Sequence, residues 1–322
     1  MDHAIEEQLG IQNVNILKKG VLDSDEGKLF LKFGEEDLVK GEFESLKAIQ
    51  ASGTIQCPKP FGIVQRNGNF ALVTSYIEFQ HRKDWATFGN LLARLFSVSI
   101  KHFRQCGPFR MHKTNSDLLL ALEQRSRLLS FNSEISEDSL HLEQEEGTAK
   151  FGFHLPTCCG RIPQENEWTD DWTKFFICHR LKPQLDRLIE EHNVRELIDH
   201  SDQLYRKTEK LLNCRQSIQP ALVHGDLWGG NWSMCLSGED TEPIVFDPSS
   251  SYSDPEFEFG IMQMFGGWTQ DFEEEYDKIM GKSDGRHERV ALYELYHNLN
   301  HWNHFGGSYR NSSMNLLRRI IG

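Results

Sequence analysis

The stretch "LVHGDLWGGNW", residues 222–232, decides how the rest of the chain is read. Apolar Leu222 and Val223 run into a histidine, a glycine and an aspartate, and Asn231 follows Asp226 by five positions. Glycines and a tryptophan fill the interval, which is poor material for a regular helix or strand. Asp and Asn are common turn formers, so these residues alone are compatible with an ordinary turn. The surroundings discriminate.

Downstream lies "PIVFDPSS", whose apolar run predicts a short buried strand ending at Asp247, sixteen residues after Asn231. His-x-Asp-x4-Asn is the spacing of a kinase catalytic loop. Phosphoryl transfer needs these types together. One carboxylate orients, and accepts the proton of, the attacking hydroxyl; an asparagine and a second carboxylate hold the magnesium that bridges the nucleotide phosphates. Oxygen ligands suit that hard cation.

The same chemistry demands a lysine on an upstream strand, paired with a glutamate on the next helix. "KLFLKFG" supplies Lys32 within a strand pattern, and residues 35–51 predict a helix. Leu38, Glu42, Leu46 and Ile49 share one face of it at helical spacing. Glu42 therefore points inward and needs a partner; Glu44, about 200° further round, points away. The plain alternative is a surface lysine beside a half-buried glutamate. No Gly-rich phosphate loop stands near residues 10–24. The G-K-S at 281–283 has Tyr276 where a Walker A loop needs glycine, so P-loop chemistry is excluded.

Working outward, residues 1–9 predict a short amphipathic helix. "NVNILKKGVL" and "KLFLKFG" predict strands joined by the acidic turn "DSDEG". Pro58 and Pro60 break the chain, and "FGIVQRNGNFALVTSYI" predicts a hairpin turning at Asn67–Gly68. From there the pattern is mainly helical, at 87–103, 173–193, 195–214, 256–280 and 287–303, with non-helical islands at 151–168 and 222–254. The acidic run 134–146 reads as a solvated loop or helix face. The expected architecture is α+β: a small β-rich lobe over 1–78 and a large, mainly helical lobe over 79–322.

A net charge of −13 argues against nucleic acid or an anionic membrane as main partner. No run of eighteen apolar residues occurs to span a membrane. The seven cysteines are odd in number and show no C-x-x-C, which suggests a reducing, cytoplasmic setting rather than a disulfide framework. Cys158 and Cys159 with His154 nearby lack the second Cys/His cluster a metal site would need.

These residues resemble those of the fructosamine-3-kinase (ketosamine-3-kinase) family, relatives of the aminoglycoside phosphotransferases on the protein-kinase-like fold. The resemblance runs from about residue 10 to the C-terminus. It rests on "HGDLWGGN", "IVFDPSSSYSDPEFE", "MFGG", "LNHWNHFGGSYRNSS" and the long block "FGFHLPTCCGRIPQENEWTDDWTKFFICHRLKPQLD". It implies a two-lobed fold with ATP in the cleft. It also implies transfer of the γ-phosphate to the 3-hydroxyl of a ketosamine, a sugar adduct on a protein lysine or free amine, with Mg²⁺ as metal. Asp226 would be the base, Asn231 and Asp247 the metal ligands, and Lys32 with Glu42 the phosphate anchor. The backbone of Ser75 and Ile77 would meet adenine, and His224, Trp228, Trp268 and the "HWNHFG" aromatics would line the sugar side. A monomer or weak dimer is expected. Some relatives carry a cysteine in the phosphate-covering loop where this chain has Asn15. A kinase for another amino sugar or polyol, or an inert kinase-like binding module, remains as an alternative at this point.

Overall fold

The computed structural model describes residues 2–80, 82–106, 150–215, 217–238 and 240–322; the acidic run at 134–146 lies outside them. Helix α1 (Asp2–Leu9) opens the chain and packs on a five-stranded antiparallel sheet in the order β1-β2-β3-β5-β4. Its strands are β1 (Asn15–Lys18), β2 (Val21–Asp23), β3 (Leu29–Gly34), β4 (Pro60–Arg66) and β5 (Asn69–Ser75). "NVNILKKGVL" is not one strand but two. The chain reverses at Lys19–Gly20, where Gly20 takes φ 77° and its carbonyl accepts from Leu31 N–H at 2.8 Å. The β4–β5 turn falls at Asn67–Gly68 as its sequence predicts, with both residues at positive φ (52° and 77°), the twist-matched form for two-residue hairpins.

Helix α2 (Glu36–Ser52) crosses behind this sheet and ends on Gly53 in the left-handed region (φ 56°). It buries Val39, Glu42, Ser45, Leu46 and Ile49 along one stripe. Short β6 (Phe79–Gln80) then pairs with β10 (Trp232–Ser237), itself paired with β11 (Asp240–Val245). A parallel bridge between Gln56 and Ile244 joins the end of the first unit to the same sheet.

The rest is helical around one large core. Helix α3 (Trp85–Cys106) stacks Phe88 on Trp232 at 4.0 Å between ring centroids. The island at 151–168 holds a two-stranded hairpin, β7 (Thr157–Cys159) and β8 (Ile162–Gln164). The helical run from residue 173 is α4 (Trp172–Phe176) and α5 (Lys182–Glu190), joined by a π-turn at 177–181 where Lys182 N–H reaches Ile177 O. The wide turn carries the helix past Pro183, which has no N–H to give. Helix α6 (Glu196–Asn213) leads to β9 (Ala221–Val223), which pairs with β12 (Ser251–Ser253).

The single helix expected over 256–280 is two, α7 (Glu258–Met264) and α8 (Gln270–Met280). Gly266 and Gly267 take φ 106° and 76°, which no helix contains, and the Thr269 side chain caps the second helix by accepting from Phe272 N–H. Helix α9 (Arg286–Phe305) fills the core with Leu292, Tyr293, Tyr296 and Leu299, and α10 (Arg310–Ile321), not singled out in the sequence, closes the chain. Among the described residues no helix is long and apolar enough to cross a membrane.

Candidate active site

The question raised by "HGD" has a geometric answer. After β9 the chain must turn sharply, and its backbone N–H groups must find acceptors. His224 is fully buried; its Nε2 donates to Phe246 O at 2.9 Å and its Nδ1 accepts from Asp226 N–H at 3.3 Å. Burial pushes the imidazole down to about 4, so the ring is neutral. Gly225 takes φ 85°, and a Cβ there would stand 2.1 Å from Ser249 O. Only glycine fits. Under this turn lies Glu258, fully buried, accepting from His224 N–H at 2.5 Å and Gly225 N–H at 3.0 Å.

This frame presents Asp226. Asn231 Nδ2 donates to the Asp226 backbone carbonyl at 2.8 Å and to Asp226 Oδ2 at 3.0 Å. Burial raises the Asp226 carboxyl to about 7; Asn231 pulls it down, and Asp247 pushes it further up. Both Asn231 amide hydrogens are thus spent on one residue, and among the described residues no donor takes its Oδ1. Phe246 N–H donates to Asn231 O at 3.0 Å, which sets Asp247 beside this loop. Asp247 holds φ 58°, a left-handed conformation uncommon away from glycine.

Lys32, on β3, completes the group. Its Nζ lies 2.6 Å from Glu42 Oε2 and 3.0 Å from Asp247 Oδ1. Burial alone would lower the ammonium, but the two carboxylates outweigh it and raise the pKa. Burial pushes Glu42 up to about 7 while Lys32 pulls it down. The sequence-based pairing of Lys32 with Glu42, and not with Glu44, is what the structure contains. Glu44 instead meets Lys47 and His154 at the helix surface.

A cavity of 320 Å³ opens above this cluster, lined by Phe30, Lys32, Leu46, Thr74, Ile77 and Phe246 among others. It is of ligand size and mostly apolar, with few polar groups at one end. Ser75 lies at its rim, its N–H and Oγ both engaged with the Lys59 backbone at 2.9 Å. Phe79 and Phe246 pack at 4.7 Å. The donor set suits magnesium: Asn231 Oδ1 and the Asp247 carboxylate are hard oxygens on adjoining segments, joined through Phe246 N–H to Asn231 O. Among the described residues no group of three or more His, Cys, Asp or Glu side chains could hold a metal, Cys158, Cys159 and His154 included.

One of the residues expected on the sugar side is placed elsewhere. His224 has no exposed surface and both ring nitrogens are committed to backbone, so it shapes the loop. Trp268 is half-buried and packs on Phe259 at 4.8 Å at the edge of the core. Trp228 is 37% exposed, folds over Gly230 and meets Phe265 at 5.0 Å. Sequence reasoning missed Glu258 and its neighbours in "DPEFEFG". There Asp254 takes Arg215 at 2.6 Å and Tyr293 Oη at 2.7 Å, and Glu256 takes Arg289 at 2.6 and 3.0 Å. The available signal was three acids alternating with apolar residues, since a buried acid requires a partner. Lys83 was missed too. Its Nζ donates to Gly229 O and sits 4.4 Å from the Trp232 ring centroid.

The family model described as "Fructosamine kinase" matches residues 2–110 and 117–322. Ketosamine-3-kinase of Mus musculus is 35% identical over 304 residues, covering 92% of this chain and 89% of the mouse protein. The chloroplastic protein-ribulosamine 3-kinase of Oryza sativa subsp. indica is 30% identical over 300 residues, covering 91% of this chain and 72% of the rice protein. Among solved structures, a Haemophilus somnus protein assigned to the fructosamine-3-kinases superposes with TM-score 0.71 at 20% identity, covering 100% of this chain and 96% of the other. A thermostable aminoglycoside phosphotransferase superposes with TM-score 0.53 at 11% identity, covering 100% and 98%. The architecture is the two-lobed kinase-like one.

Proposed function

This chain belongs to the fructosamine kinase family, and from that premise we propose that it transfers the γ-phosphate of ATP to the 3-hydroxyl of a ketosamine borne by a protein lysine or a free amine. The observation that carries this reading is the Lys32–Asp247 pair at the wall of the cavity, with Asn231, bonded to the Asp226 carboxylate, tied by its backbone to Phe246 next to Asp247. Residues 1–78 form the nucleotide-covering lobe and 79–322 the catalytic lobe. Adenine lies between Phe30, Ile77 and Phe246, with the backbone of Ser75 and Ile77 along its edge. Lys32, held by Glu42, draws in the α- and β-phosphates.

Asn231 and Asp247 hold Mg²⁺, which when bound neutralises phosphate charge. Asp226 orients the substrate hydroxyl and accepts its proton as the hydroxyl oxygen bonds to phosphorus and the bond to ADP breaks. Asn231 fixes the Asp226 carboxylate, and the Glu258 carboxylate fixes the loop that carries it. Trp228, beside the base and partly open, is the aromatic face for the sugar. The resulting 3-phosphate is unstable, and its loss frees the amine.

The test is phosphate transfer from ATP to ribulosyl-lysine, fructosyl-lysine and plain fructose, with the phosphorylated carbon identified by NMR. Transfer to O3 of the lysine adducts and little to fructose is expected. Equal turnover of fructose and its lysine adduct would identify a general sugar kinase instead.

A further inference from the structure

Lys32 is gripped by two carboxylates from different parts of the fold: Glu42 on α2 and Asp247 after β11. Something must hold those two elements at a fixed separation. Three residues beyond Glu42 stands Ser45, and three beyond Asp247 stands Ser250. Ser45 has no exposed surface; its Oγ accepts from Ser250 N–H at 3.0 Å and donates to Gly41 O at 2.7 Å. The same face of α2 approaches the second lobe again one turn earlier. A Cβ on Gly41 would stand 3.2 Å from Pro156 O and from Thr157 Cα, so the helix backbone lies directly against β7.

The structure assigns Ser45 a role beyond α2 itself: it is a positioning residue for the nucleotide site, coupling the helix that bears Glu42 to the loop that bears Asp247. The hydroxyl touches neither nucleotide nor metal. It acts by fixing the distance between the two anions that orient Lys32. A buried hydroxyl that both donates and accepts is costly to delete, because Ser250 N–H is then left without its acceptor. The freed loop carries Asp247 with it, and the site must be reassembled each time MgATP binds. That cost falls on affinity for MgATP rather than on the chemical step.

The inference rests on the roles given to Lys32 and Asp247 above, so the experiment separates the two. KM for MgATP, kcat and melting temperature are measured for wild type, Ser45→Ala, Ser45→Cys, Val39→Ala and Lys32→Ala. Val39 is the control: it is buried on the same helix and packs in the first lobe with Leu46 and Leu72. Ser45→Ala is expected to raise KM for MgATP about three- to tenfold, the worth of one buried hydrogen bond. Its kcat stays within about twofold, while Val39→Ala keeps the wild-type KM. Ser45→Cys fills nearly the same space, keeps the fold, and loses most of the bond, so it shifts KM in the same direction. An unchanged KM in both Ser45 variants overturns the role, and so does an equal shift in Val39→Ala, which would reduce the effect to helix stability. An unchanged KM in Lys32→Ala would instead overturn the underlying site.

Discussion

At the scale of the residue, the proposed function gives Asp226 and Asp247 separate duties, and their loss should separate too. Asp226→Asn keeps the shape and removes the proton acceptor. Turnover should fall about 10²- to 10⁴-fold, while MgATP binding stays within a few-fold, because the nucleotide is held by other side chains. Single-turnover kinetics beside nucleotide titration reads both, and near-normal turnover refutes the assignment. Asp247→Ala should do the reverse first: Mg²⁺-dependent nucleotide binding is lost, as calorimetric titration of MgATP will report. Unchanged affinity with unchanged magnesium dependence would place the metal elsewhere. His224 makes a prediction of another kind. Burial depresses its folded pKa from 6.5 to about 4, so as pH falls below 6.5 the unfolded chain binds a proton that the native ring refuses. Stability from this group is whole above pH 6.5 and is lost progressively down to about pH 4, by about 3 kcal/mol. Asp226 and Glu42, raised to about 7, take up their protons in the folded chain first and oppose this slope, so denaturant unfolding of wild type and His224→Asn at several pH values reads the difference: between pH 6.5 and 4 the variant should lack the loss that His224 contributes. An identical slope in the variant would assign the acid sensitivity to other groups.

At the scale of the element, the catalytic loop shows why glycine is inserted between a histidine and an aspartate. Gly225 has a left-handed φ and a carbonyl where a side chain would begin. Gly225→Ala should therefore cost both fold and function: a stability loss of about 2 kcal/mol or more from strain and collision, and turnover reduced beyond what the lost folded fraction explains. Thermal unfolding and activity per folded molecule would check this; a variant of normal stability and turnover contradicts the geometry. The elements were legible where one local cause dominates. Asn67–Gly68 announces its hairpin, and Leu38, Glu42, Leu46 and Ile49 announce both the helix and the buried acid on it. They were illegible where the cause is distant or lies in backbone angles. Lys19–Gly20 turns within an apolar run that reads as one strand. The Gly266–Gly267 break looks like a tolerable interruption in a helical pattern. Glu258 looks like any helical glutamate until the loop above it is placed. The pairing of Lys32 with Glu42 and the contact of Asn231 with Asp226 were readable because phosphoryl transfer fixes residue types and order. The buried place of His224 was not, since a histidine in a glycine-rich turn reads the same whether it faces the cleft or holds the backbone from within.

At the scale of the whole molecule, no cysteine lines the cavity among the described residues. Asn15 is exposed on β1, its amide bonded to Asn13 O. In the first lobe Cys57 sits against the core, its thiol donating to Leu46 O at 3.6 Å, and burial pushes it up to about 12, far from the thiolate that oxidants attack. Activity should be unchanged between mild peroxide and reductant, as an assay beside a non-reducing gel will show. A covalent dimer that loses activity and regains it with thiol would contradict this. The segment Asp254–Glu258 has a different kind of consequence. Its three acids fasten three places at once: the turn after α6 and helix α9 through Arg215 and Tyr293, α9 again through Arg289, and the catalytic loop through His224 and Gly225. Each substitution there breaks one fastening, but inserting a single residue after Pro255 turns Glu256 and Glu258 together by about 100° off their partners. This stretch is therefore a fixed-length ruler: its spelling has some latitude, and its number of letters has none.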